Sequence, residues 1–383
     1  MNSVLRPLLG LCLALPVGCA GDKLEGDDSG DSVEALRLSD DLSAVDMPVG
    51  VRTMVLGGVD VEVWYPASDS AAGGVGESVA LVDLIPQSVR ELLGDAPLPS
   101  IETMAIRDAP LRPLAEPMPV VFFSHGFGGF PQQSVDLTSH LAGRGYVVFS
   151  TRHVGRSITD LLPCIFSPPL EGCTLSGEDP GPDDITAMRA ALEADADFLA
   201  GAIDLSTRAV VGHSAGGGTA STLAQTDSEL KAAVIMAAPP SVSSDVPVLL
   251  LDGVCDAIVQ ESGVVAAFEQ VPDGVRVRMD GAGHLAFSDI CDLEFGTLSE
   301  ELLAPRDDVS QSFLQQLTAL GTDGCPGGTV NVPACGDAFL PLETSAPVIR
   351  ASTTAFLDLH LRGVGAGVNG DYGSGFEVST SSP

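Results

Sequence analysis

The stretch VVGHSAGGGTAS, Val210–Ser221, decides the fold. Two loop patterns overlap in it. Gly212, Gly217 and Thr219 match the phosphate-binding pattern G-x-x-x-x-G-K-[ST], with Gly218 at the lysine position. Gly218 offers no positive charge to a phosphate, so that reading fails. Gly212, Ser214 and Gly216 match G-x-S-x-G, a sharp turn that exposes a nucleophilic serine. A chain with 43 glycines meets that pattern roughly 0.4 times by chance. The flanks decide the matter. RAVV before the motif reads as a strand, and GTASTLAQ after it reads as a helix. That is the strand–turn–helix setting the motif needs, and its glycines keep side chains out of a tight turn.

Working outward, strands and helices alternate. GGVDVEVWYPA (Gly57–Ala67) alternates apolar and polar residues, which predicts a half-buried strand ending at Pro66. PMPVVFFSHG (Pro117–Gly126) is a continuous apolar run, as in a fully buried parallel strand. VDLTSHLAGRG follows as a helix, and YVVFSTRH as the next strand. DDITAMRAALEADADFL (Asp183–Leu199) has aspartates at its start and helical apolar spacing. KAAVIMAAP, VPVLLLDG and VRVRMDG are further strands, and SAPVIRASTTAFLDLHLRG closes with a helix. The fold class is therefore α/β: a mostly parallel central sheet with helices on both faces. No internal repeat is present. Residues 69–112, 157–182 and 288–343 break the rhythm and read as insertions near the functional edge.

A serine hydroxyl needs a base. In this fold class the chain order is Ser, then Asp or Glu, then His. Of six histidines, His284 and His360 follow a suitable acid. His284 lies in RMDGAGHLAFSD, a Gly-rich loop after a strand, and is the predicted base. His360 sits mid-helix in AFLDLHLRG and reads as structural. Two acids end the preceding strand in LLLDGVCDAIV. Asp252, beside Gly253, fits a turn former; Asp256 lies deeper in the loop and is the predicted acid. An oxyanion needs two backbone N–H donors. Ala215, after the serine, is one; the loop SHGFGG (Ser124–Gly129) supplies the other at Phe127.

A net charge of −34 and a pI near 4.1 argue against nucleic acid as partner. MNSVLRPLLGLCLALPVGCAGD reads as an export signal, too short to span a bilayer. Its PVGC end resembles a bacterial lipobox, which implies cleavage after residue 18 and a lipid on Cys19. Residues 19–48 read as an acidic tether and 49–383 as the catalytic domain. Export into an oxidising compartment makes Cys164, Cys173, Cys255, Cys291, Cys325 and Cys335 disulfide candidates. Chain order suggests Cys164–Cys173, Cys255–Cys291 and Cys325–Cys335, though sequence leaves other pairings open. A Cys255–Cys291 bridge would tie the acid loop to the base loop, worth roughly 3–4 kcal/mol by chain entropy. No C-x-x-C supports a zinc site. The acidic run SGEDPGPDD (Ser176–Asp184) reads as a solvated loop and helix cap rather than a calcium loop.

VEVWYPA, IRDAPL, PMPVVFFSHGFGG, GHSAGGGTA, DAIV and GAGHLAF occur in the order seen in α/β-hydrolases. The set resembles the branch of platelet-activating-factor acetylhydrolase-like enzymes and the related cutinase and polyester hydrolases, over Val51 to Gly363. The resemblance implies Ser214, Asp256 and His284 as a triad, with Phe127 and Ala215 as oxyanion donors. In the polyester-hydrolase relatives a disulfide links the acid and histidine loops, which implies Cys255–Cys291 here. The chain departs from the compact members in its long insertion at 288–343. The expectation is an exported serine esterase with no cofactor and no metal. Its partner is a small-molecule, lipid or polyester ester, and it acts as a monomer. It meets the membrane, in the cell envelope or outer membrane, through the lipid anchor alone, or is secreted. The rival readings are a serine peptidase or amidase on the same fold, and a non-catalytic surface lipoprotein.

Overall fold

The computed structural model describes residues 47–381, apart from 94–97, 166–167, 195–196, 241–243, 294–321, 327–329 and 334. The expected signal, Cys19 and the tether through residue 46 lie outside the described residues, as does much of the 288–343 insertion. Met47, placed in the tether by its sequence, is buried and its N–H donates to Gly143 O.

The chain enters through β1 (Val49–Leu56) and β2 (Val59–Pro66), an antiparallel hairpin. The first insertion carries the short pair β3 (Ser78–Ala80) and β4 (Ser100–Glu102), with helices α1 (Leu81–Leu84) and α2 (Gln87–Leu93) between them. It ends in β5 (Ile106–Arg107), which pairs with β1 and so joins the main sheet. Then come β6 (Met118–Ser124), α3 (Val135–Gly143), β7 (Val147–Thr151), α4 (Ile158–Leu161) and α5 (Gly181–Ala194). The central unit is β8 (Ile203–His213), α6 (Ala215–Thr226) and β9 (Ala232–Met236). It is followed by β10 (Val248–Gly253), α7 (Glu261–Phe268) and β11 (Gly274–Met279). The last insertion folds β12 (Thr322–Gly324) against β13 (Val330–Pro333). The chain closes with α8 (Leu342–Leu357) and β14 (Phe376–Thr380).

The ten-stranded sheet runs β14-β11-β10-β9-β8-β6-β7-β2-β1-β5. Its middle, from β11 to β7, is parallel, and the hairpin and β14 are antiparallel additions. Parallel strands covered on both faces must be apolar on both. In β6, Val121 and Phe123 join one core with Leu141 of α3 and Phe356 of α8. Val120 and Phe122 join the other core, with Met188 of α5, Leu223 of α6 and Phe268 of α7. The alternation of side chains along one strand thus serves two helical layers.

The half-buried reading of β2 is corrected. From Val61 to Pro66 every residue is buried, including Glu62. A carboxylate tolerates that position because Arg107 and Thr53 hydrogen-bond to it. The insertion that supplies Arg107 therefore covers a face that its pattern marked as solvated.

Candidate active site

Ser214 stands between β8 and α6, at the carboxyl edge of the sheet, with φ 56° and ψ −120°. A non-glycine residue held there costs ~1–3 kcal/mol and needs its surroundings to enforce it. They do. The Ser214 N–H donates to Met236 O at 2.9 Å, and Gly218 N–H donates to Ser214 O at 3.0 Å. A side chain on Gly212 would put its Cβ 2.0 Å from Gly216 O, and one on Gly216 would put it 1.9 Å from Ser124 O. Both motif glycines are required by clearance. Gly218, the residue at the phosphate-loop lysine position, has nothing within 4 Å of such a Cβ. Gly218→Ala is therefore expected to raise stability by about 0.5–1 kcal/mol through helix propensity, read as a higher urea midpoint with unchanged slope.

The structure brings the three predicted residues together. The Ser214 hydroxyl lies 2.8 Å from His284 Nε2, and His284 Nδ1 lies 2.7 Å from Asp256 Oδ2. Asp256 Oδ1 accepts from the N–H groups of Ile258 and Val259 at 2.9 and 2.7 Å. That carboxylate is held from both sides and orients the imidazole, so Nδ1 carries the proton and Nε2 faces the serine. Ser214 is partly exposed, while His284 and Asp256 are buried. Asp252 has other work than the expected turn. It forms a two-point ion pair with Arg276 at 2.7 and 2.6 Å, buried within the sheet edge. His360 packs on Phe356 with ring centres 4.4 Å apart.

The loop after β6 lies against the serine: a Cβ on Gly126 would stand 3.3 Å from Ser214 Cβ. Its N–H groups are assigned one by one. Gly126 N–H donates to Gln133 Oε1, Gly128 N–H to Arg156 O, and Gly129 N–H to Gly126 O. The Phe127 N–H is the one left over in that run. Ala215 N–H, at the first position of α6, lies outside the helical ladder. Gln133 also does what no local motif signalled. Its Nε2 donates to His213 Nδ1 at 2.7 Å, and His213 Nε2 donates to His284 O at 2.8 Å. Burial pushes His213 down to about 3, so it stays neutral and keeps this polarity. One buried chain of side chains thus joins the loop of Phe127 to the backbone of His284.

With this geometry in place, the likeness to known proteins is specific. Residues 58–162 match the family described as platelet-activating factor acetylhydrolase, isoform II, and residues 119–276 match the alpha/beta hydrolase fold. The fold is that of the α/β-hydrolases. A ferulic acid esterase from Streptomyces cinnamoneus superposes with a TM-score of 0.59 at 23% identity, covering 88% of this chain and 97% of that one. No curated protein sequence matches the chain.

The hydrolase fold here holds a second Ser-His-Asp array, unforeseen from sequence. Ser124 Oγ lies 2.9 Å from His153 Nε2, and His153 Nδ1 lies 2.9 Å from Asp184 Oδ2. Distances alone do not separate it from the first array, but access does. Ser124 and His153 are both 0% exposed, and Ser124 lies within β6 rather than on a strained turn. Arg156 also donates to Ser124 Oγ at 2.8 Å and to Asp179 at 2.5 Å. Asp179 and Asp184 of the acidic run are thereby paired with Arg156 and His153, and Arg156 also donates to His125 O at 2.6 Å.

The disulfides correct two expected pairings. Cys164–Cys173 forms as predicted. Cys255 pairs with Cys325 and Cys291 with Cys335, in place of Cys255–Cys291 and Cys325–Cys335. The cause is the β12–β13 hairpin. It folds back on the acid loop, where Gly324 N–H donates to Cys255 O. Nearness in sequence carried no information about that return. Closing the 70-residue separation contributes about 4 kcal/mol in the chain-entropy model.

Asp289, just past His284, sets a pH dependence. Burial, chiefly, raises it from 3.8 to about 8. The folded state then binds a proton that the unfolded state releases, so this group's contribution to stability is fullest below about 4 and is lost as pH rises through about 8. The slope is at most ~1.4 kcal/mol per pH unit. Asp184, raised by burial to about 6, acts in the same direction. Asp289→Asn is expected to flatten the decline between pH 5 and pH 8 in urea titrations, with its largest gain at pH 8.

Proposed function

We propose that the protein is an exported carboxylic ester hydrolase in which Ser214 is the nucleophile, His284 the base and Asp256 the acid. The observation that carries this reading is the hydrogen-bond chain from Ser214 through His284 to Asp256, with the serine on a strained turn. Ser214 Oγ attacks the ester carbonyl while His284 Nε2 takes its proton. Asp256 keeps Nδ1 protonated and stabilises the imidazolium. The Phe127 and Ala215 N–H groups take the negative charge on the carbonyl oxygen, which only the tetrahedral state carries. His284 returns its proton to the departing alcohol, and the same base then activates water against the acyl-enzyme.

Esters are favoured over amides by the similarity to acetylhydrolases and to a ferulic acid esterase. Three disulfides support export, and the N-terminal PVGC supports a lipid at Cys19. The test is a panel of p-nitrophenyl acetate, butyrate and longer esters and methyl ferulate, set against peptide anilides. Turnover of an ester with no measurable anilide cleavage is the expected result. Faster cleavage of the anilides would replace this reading with a peptidase.

A further inference from the structure

His284 lies in a single 3-10 turn, His284–Phe287, entered from Gly283. The N–H of the first residue of such a turn has no partner within the turn. Two buried side chains hold the His284 backbone. His213 takes the His284 carbonyl at 2.8 Å. The His284 N–H donates to Asp323 Oδ2, and the other oxygen of that carboxylate accepts from Ala257 N–H. Asp323 is 0% exposed and comes from β12 in the last insertion. One carboxylate therefore bridges the residue after Asp256 and His284 itself. Gly283 is cut to fit, since a Cβ there would stand 2.5 Å from Asp323 Oδ2. Two residues on, Cys325 is bonded to Cys255, the neighbour of Asp256.

We propose that Asp323 is a positioning residue for catalysis, holding the acid and base loops in register, and that the Cys255–Cys325 bridge delivers it. The proposal rests on the reading of Ser214, His284 and Asp256 as the triad. The expected connection between the acid and base loops exists, but it is made by a carboxylate rather than by a Cys255–Cys291 bond. The two hydrogen bonds need two acceptor oxygens. Asparagine keeps the shape but turns an N–H₂ toward one of the two donors, and alanine removes both acceptors. The effect falls on the His284–Ser214 approach, where a shift of about 1 Å costs about 10²-fold in rate.

The experiment compares the full chain with Asp323→Asn, Asp323→Ala and the double variant Cys255→Ser/Cys325→Ser. Active sites are counted by a fluorophosphonate titrant, so kcat is expressed per competent site and misfolded protein drops out. The expected result is a fall in kcat per site of about 10-fold for Asn and about 10²-fold for Ala, with KM within about twofold. The double variant falls between wild type and Asp323→Ala. Unchanged kcat per site in both Asp323 variants, with only fewer titratable sites or a lower melting temperature, overturns the proposal. A wild-type chain that neither hydrolyses esters nor titrates overturns the underlying triad reading instead.

Discussion

Ser214→Ala is expected to lower kcat/KM toward p-nitrophenyl butyrate by ~10⁵-fold, about 7 kcal/mol of transition-state stabilisation. The reason is that the group forming the covalent bond is lost while the backbone N–H donors remain. His284→Ala is expected to cost about as much, and Asp256→Asn about 10⁴-fold, because the imidazole then takes the wrong tautomer. The losses do not add, since a base without its nucleophile has nothing to activate. Ser124→Ala is the control, as its array has the same residue types and similar distances. It is expected to lose less than about tenfold in activity. Steady-state kinetics on purified variants, with circular dichroism to check folding, reads all four.

Gly216→Ala is expected to remove more than about 4 kcal/mol of stability, a large share of what a domain has. Its Cβ would lie 1.9 Å from Ser124 O and 2.8 Å from His125 O, both backbone atoms of β6 and the loop after it. Neither a rotamer change nor a small shift relieves contact with two carbonyls at once. Gly212→Ala meets Gly216 O in the same way. The contrast within one helix is the test. Gly218→Ala, two residues on, is expected to be stabilising by about 0.5–1 kcal/mol. If Gly216→Ala and Gly218→Ala share a urea midpoint, the turn does not have the geometry described.

Much of this site was legible because its residues sit next to strong local signals. Ser214 follows an apolar strand, Asp256 follows VPVLLL, and His284 follows VRVRM, each at the carboxyl end of a parallel strand. The same locality explains the separation of Asp252 from Asp256. Asp252 still lies on the strand and meets Arg276 of the next one, while Asp256 lies past the turn. What sequence hid is what the chain assembles over long distances. Asp323 reaches His284 across 39 residues, and Gln133 reaches His213 across 80. Neither carries a motif, though Cys325, two residues past Asp323, marked that segment as a disulfide candidate. The disulfides were misread for the same reason. Pairing by order assumes that an insertion closes on itself, and the β12–β13 hairpin instead returns to the acid loop. The edge strand β14 gave only a weak pattern, as a half-exposed strand bound on one side does.

The most direct measurement is covalent. The purified protein is treated with a fluorophosphonate, digested, and the adduct located by mass spectrometry. One adduct per chain is expected, on Ser214, formed equally in Ser124→Ala and absent in Ser214→Ala. An adduct on Ser124 or on any other residue, or no reaction in a folded protein, would contradict it.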